Sequence, residues 1–532
     1  MSGSSRRILA AVFALAAGSD AIAANVSTKD EGKALRLSQR NEPADLDPAT
    51  ATLPDEFFII RALGEGLVVP AADGGKPLPA AASRWEVSSN GLMYTFFLRK
   101  DARWSNGEPV TAQDFVSSYH RLLSPTTASP KADLFFAVKN AREFVSGRIT
   151  DFSAVGFRAA DASTLIVTLE LPTPNFLLYI ASGPWIPVNP RVVAQFGRAW
   201  TRPENHVGNG PFTLQEWRPH QHLRVVRNPL YHPERPGSLR QINFIAFDNG
   251  DAEERAYRAG QIDVTMAVPV TKLETYARER AAELHRTPLA ETHYLAFNTQ
   301  RAPLNDVRVR RALALAIDRP KIVERVLRGG QQSAGRLLPP QLRGGNDASV
   351  AQPWEFRFDA AAARSLLAAA GFAGGKNFPR LEITSWARPA VLEAVQEMWR
   401  QELGIEVAIA LREAKVHVDS LQSGSFDIGF ITQIPDVADS ASVLSDFATG
   451  APGNYPHWSD PAFDALLLAA SRAPTDLRRH ALLGEAEQRL IEAGAIAPLY
   501  FNAKNWLMSP RVAGWREDAF WTRDYTAVSL RE

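Results

Sequence analysis

Between Leu381 and Ile431 strand-like and helix-like runs alternate, and this alternation restricts the possible folds more than any other stretch of the chain. Residues 381–386, 405–411 and 426–431 are short apolar runs. Residues 390–403 place apolar side chains at helical spacing and end at Gly404, and residues 416–421 give a second, short helix. A βαβαβ run has crossovers long enough for parallel pairing only, with right-handed connections. In such a sheet a ligand binds beyond the carboxyl ends of the strands. The loops after the first and third strands carry Arg388 and Asp436.

One such unit cannot account for 532 residues, a length beyond the point at which a single hydrophobic core keeps growing, so at least two lobes are expected. Lys and Arg number 59 against 58 Asp and Glu, which argues against a nucleic-acid or anionic-membrane partner and for a small one. Cysteine is absent, so neither a disulfide framework nor a thiolate nucleophile or metal ligand is available.

The amino terminus has Arg6 and Arg7, an apolar run over residues 8–17, and Ala21-Ile22-Ala23, the pattern of a secretory signal cleaved near Ala23. The mature chain then starts near Ala24, with 57 basic and 57 acidic side chains. The apolar run is too short to span about 30 Å of hydrocarbon. Ser5-Arg6-Arg7 also has a faint twin-arginine look, and the two export routes stay open. With no cysteine to carry a lipid, the expected location is the periplasm, in solution.

Residues 291–330 read as a strand, a loop and two helices. Tyr294, Leu295, Ala296 and Phe297 form the apolar run. Asn305-Asp306 caps a helix whose apolar side is Val309, Ala312, Leu313, Ala316 and Ile317. Asp318 and Pro320 start a second helix, carrying Ile322, Val323, Val326 and Leu327, that Gly329-Gly330 is expected to stop. This block resembles one in the extracytoplasmic solute-binding proteins of peptide-type ABC transporters, the dipeptide and oligopeptide binders. Residues 85–125, the NGPF at Asn209–Phe212, Leu46-Asp47-Pro48 and residues 426–447 are similar to further blocks of that family, in its order.

The resemblance implies a two-lobed α/β periplasmic binding protein fold of the type II-like, peptide-binding cluster, with an extra α/β domain inserted in the first lobe. Residues 24–64, 184–288 and 503–532 would form lobe I, residues 65–183 the inserted domain, and residues 289–502 lobe II. The two crossings, near Pro288 and Ala497, would make a hinge. The implied function is capture of short peptides and delivery to an inner-membrane ABC permease by a monomer that needs no cofactor. Opines, metal chelates, haem or sugars are the alternative ligands for the same role.

A free peptide in a dehydrated cleft brings an ammonium, a carboxylate and backbone groups, each of which needs a partner. By resemblance Asp436 takes the ammonium, although Gln433, Val437 and Ala438 stand where relatives often have tryptophan, tyrosine and proline. A loop aspartate that caps a turn is the other reading. Arg388 lies near a basic residue that meets the peptide carboxylate in some relatives, its planar fork suiting that group; a surface arginine is the alternative. Phe430 stands where some relatives carry another arginine. Thr52 and Leu53 fall in backbone that borders the ligand, or in an ordinary surface loop, and Lys131 replaces a frequent aromatic. Motifs of a hydrolase, a nucleotide binder or a metalloenzyme are missing, and His417 and His457 are isolated. A secreted hydrolase is the competing class.

Overall fold

The computed structural model describes residues 34–71, 75–232, 239–247, 249–343, 352–473 and 475–531. The signal expected at residues 1–23 lies outside them. Three sheets carry the architecture. In the first, Ala34–Gln39 pairs in parallel with Gln241–Ala246, followed by His222–Arg227 and Phe212–Arg218 in antiparallel order. Leu35, Leu37, Ile242, Phe244 and Val225 meet Tyr525 and Val528 from the chain's end in one core.

The second sheet begins with the hairpin expected at Asn90-Gly91. Ala82–Val87 pairs with Met93–Leu98, and Gly91 supplies the positive φ of 68° that the turn needs. Tyr94, Phe96 and Leu98 are buried while Met93 is exposed, so alternation sets which face packs. Thr164–Thr168 and Phe157–Asp161 complete this sheet. Helix Ala112–Leu123 covers it, opened by a reciprocal cap: Thr111 Oγ1 accepts from Asp114 N at 3.3 Å and Asp114 Oδ2 from Thr111 N at 2.9 Å. Its core joins Ala49 to residues between Leu67 and Trp185.

The third sheet holds the βαβαβ unit. Leu381–Ser385 lies between Val407–Leu411 and Ile428–Gln433 and is parallel to both, with Pro389–Leu403 and Ala414–Gln422 as crossovers. The sheet as a whole is mixed, since Leu284–Phe297 pairs antiparallel with Ile428–Gln433. His417 is a satisfied core histidine, its ring nitrogens 3.0 Å from Phe430 O and 3.3 Å from Thr384 Oγ1. The second helix after Asp318 differs from expectation. After one α turn, Ile322–Leu327 winds as a π-helix, and Arg328, not the glycines, adopts the left-handed stop at φ 55°, its N–H bonded to Val323 O.

Two long strands, Leu284–Phe297 and Ile496–Leu507, run antiparallel between these cores. Residues 284–288 pair with 503–507 and residues 292–296 with 496–501, and the register breaks between Pro288 and Thr292. At the break Glu291 is buried, and its Oε1 accepts from His293 Nε2 at 2.7 Å and from Asn502 Nδ2 at 2.9 Å. Burial lowers the His293 pKa against the raising effect of Glu291. Burial opposes ionisation of Glu291, but the bonds from His293 and Asn502 win and hold its pKa below the usual range.

Candidate functional site

A cleft enclosing about 930 Å³ of space continuous with solvent is lined from six stretches of chain, among them Pro70, Ala71 and Pro77 and the run from Ala181 to Pro184. The loop before helix Pro54–Leu63, its first turn and its last turn contribute Thr52, Pro54, Phe57 and Arg61, and residues 131–134 contribute Lys131 and Leu134. Ile434 to Ala438 follow the strand Ile428–Gln433, beyond its carboxyl end, and Asp518, Phe520 and Trp521 come from the terminal segment. The walls are largely apolar, with charges at a few points, as in small-molecule sites generally.

Asp436 is held from across the cleft. Lys131 Nζ donates to Asp436 Oδ1 at 2.5 Å, with 22% of the lysine side chain and 40% of the aspartate side chain exposed. Two further carboxylates act on the same point. Asp446 accepts from Gln433 Nε2 at 2.7 Å. Burial, reinforced by the negative charges of Asp436 and Asp133, pushes the Asp446 pKa up to about 6 against the lowering effect of Gln433. Burial and the Asp436 charge also raise Asp133.

Arg61 is a further charge of the cleft. Its two terminal nitrogens both donate to Ala181 O, each from 3.2 Å, while Asp518 acts on it from beyond ion-pair distance. Burial pulls the Arg61 pKa down to about 10.

Thr52, Lys131 and Asp436 are thus brought to one cleft, and Gln433 braces Asp446 behind it. Leu53 is an exposed neighbour that does not line the cleft. Phe430 is wholly buried in the core beside His293, at a ring separation of 5.6 Å, which corrects its placement at the ligand. The sheet is covered on both faces there, so the strand points no side chain from this position into the cleft. Arg388 is exposed at the start of helix Pro389–Leu403 with φ 63°; it lies near Glu291 and His293 and does not line the cleft.

The backbone N–H groups at residues 51–53 are all engaged within the chain. Ala51 N donates to Asp47 O, and Thr52 N and Leu53 N both donate to Glu56 Oε2, at 2.8 and 3.0 Å. Pro54 has no N–H, so this stretch has no donor left for a ligand strand. Across the cleft the N–H groups of Asp436, Val437 and Ala438 donate to nothing among the described residues. Asp133, Asp446 and Arg61 escaped the sequence reading because only the folded chain brings them to Asp436 or to the cleft wall.

Residues 76–455 match the bacterial extracellular solute-binding proteins, family 5 (middle). The periplasmic oligopeptide-binding protein OppA of Escherichia coli strain K12 is 33% identical over 516 residues, 94% of each chain. The probable deoxycholate-binding periplasmic protein YgiS of the same strain is 32% identical over 489 residues, 90% of each chain. The solved structure of the E. coli murein tripeptide binding protein MppA is similar at a TM-score of 0.82 and 32% identity, covering 94% of this chain and 99% of that one.

Proposed function

The chain belongs to the bacterial extracellular solute-binding proteins of family 5, and from that premise we propose that it captures short peptides between its lobes and delivers them to an inner-membrane ABC permease. The observation that carries the reading is the segment Asp436–Ala438. It lines the cleft with the Asp436 carboxylate and with backbone whose three N–H groups have no partner among the described residues, donors of the kind that a peptide backbone needs irrespective of its side chains. Peptide binders among the relatives, OppA and MppA, support it. In this reading Asp436 receives the ligand's ammonium, and Arg61 answers its carboxylate. After cleavage near Ala23 the protein is free in the periplasm.

A second reading has one specific observation in its favour. Asp436 already holds a cation, Lys131, which suits a ligand without an amine; YgiS is a relative named as a probable deoxycholate-binding protein.

Two measurements follow from the geometry. A hinge at residues 288–292 lets the lobes close on the ligand, so small-angle scattering should show a smaller radius of gyration at saturation with mixed tri- to pentapeptides. An unchanged radius counts against capture between lobes. The second is the pH dependence. A ligand ammonium favours ionised Asp446, so affinity should rise with pH through about 6 and binding near pH 6 should release a proton. Calorimetry in buffers of different ionisation enthalpy reads that proton. In Asp446→Asn the release should vanish, and a release that persists would assign it elsewhere.

A further inference from the structure

Lys131 occupies the place that the peptide reading reserves for the ligand. It begins the short turn Ala132–Phe135, and its N–H bonds to Ser129 Oγ at 3.3 Å, so the stem is fixed on one side of the cleft. Its ammonium reaches the opposite side and takes Asp436 Oδ1 at 2.5 Å. An α-ammonium entering the cleft would meet a carboxylate that already has a counter-ion, and a second cation beside it. Like charges at such separations repel, least where solvent reaches them and most once the cleft has closed.

We infer that Lys131 is a specificity-determining residue, an internal counter-ion for Asp436 that makes the cleft tolerant of ligands with no free α-ammonium, such as amino-terminally blocked peptides. The inference rests on the peptide reading and deepens it. The Lys131–Asp436 pair bridges the two sides of the cleft. A free peptide must compete with Lys131 for Asp436, whereas a blocked peptide leaves the pair intact and uses the N–H groups of Asp436 to Ala438.

The test compares pools of free and N-acetylated tri- to pentapeptides on wild-type protein, Lys131→Gln and Lys131→Arg, by competition calorimetry. Wild type should bind the two pools within about threefold of each other. Lys131→Gln should bind the free pool about tenfold or more tighter than wild type does and the acetylated pool more weakly, because a blocked peptide then encloses Asp436 without a counter-ion, and Lys131→Arg should restore the wild-type ratio. The same acetylation penalty in wild type and Lys131→Gln, with binding intact, overturns this inference and leaves the peptide reading standing. Failure of both pools to bind any of the three folded proteins overturns the peptide reading, and this inference with it.

Discussion

Asp436→Ala should lower affinity for free peptides by roughly 1.5 to 3.5 decades, the equivalent of about 2 to 5 kcal/mol for truncating one partner of a dehydrated charge pair. The value should fall toward the lower end, because 40% of the Asp436 side chain stays exposed before ligand enters. Two effects combine. The ligand's ammonium loses its anion, and the Lys131 ammonium, freed from its 2.5 Å partner, is left facing it. Acetylated peptides carry no such charge and should lose far less, so the variant should prefer them to free ones. Titration of both peptide forms on both proteins separates the charge effect from general damage, since the two changes act on one interaction. Equal losses for the two peptide forms would show that Asp436 does not sense the amino terminus.

Glu517→Gln should destabilise the fold by about 3 to 5 kcal/mol, because it removes the anion from a buried cluster without removing its cations. Lys504 Nζ donates to Glu517 Oε1 at 2.6 Å and Arg523 Nε lies 3.3 Å from the same oxygen, with every side chain at most 3% exposed. Burial pulls the Lys504 pKa down to about 8, so this ammonium depends on its partner. Such a loss is a large part of the 5 to 15 kcal/mol by which folded domains commonly exceed their unfolded states. It should appear as a lower urea midpoint. Peptide affinity should fall as well, since Glu517 directly precedes the cleft wall at Asp518, Phe520 and Trp521. A midpoint equal to that of wild type would mean that the cluster is solvated or compensated in solution.

What could be read from the sequence was local. Asn90-Gly91 announces its hairpin, Thr111 and Asp114 announce their helix, and the run from Leu381 to Ile431 carries three strands and two crossovers in its periodicity alone. Each signal is contained within a few neighbouring residues. Phe430 was misplaced because a strand covered on both faces shows no alternation that would reveal which side meets the ligand. The stop after Leu327 was misplaced because glycine propensity pointed to Gly329, whereas the π-helix ends one residue earlier on Arg328. The Lys131–Asp436 pair joins residues 305 apart in sequence and depends on how the two sides of the cleft face each other, which no local pattern encodes. Asp446 came into view only with the fold, which brings it onto Gln433. The capture of the Thr52 and Leu53 donors by Glu56 is a matter of side-chain geometry.

Native mass spectrometry of the freshly purified, exported protein tests peptide capture most directly, because family 5 membership leaves the ligand's chemistry to the cleft. The account predicts a chain beginning near Ala24 that carries a series of bound masses fitting short peptides of mixed composition, amino-terminally blocked species among them, all released when the protein is unfolded. A single non-peptide mass bound one to one, with no peptide series before or after its removal, would contradict it.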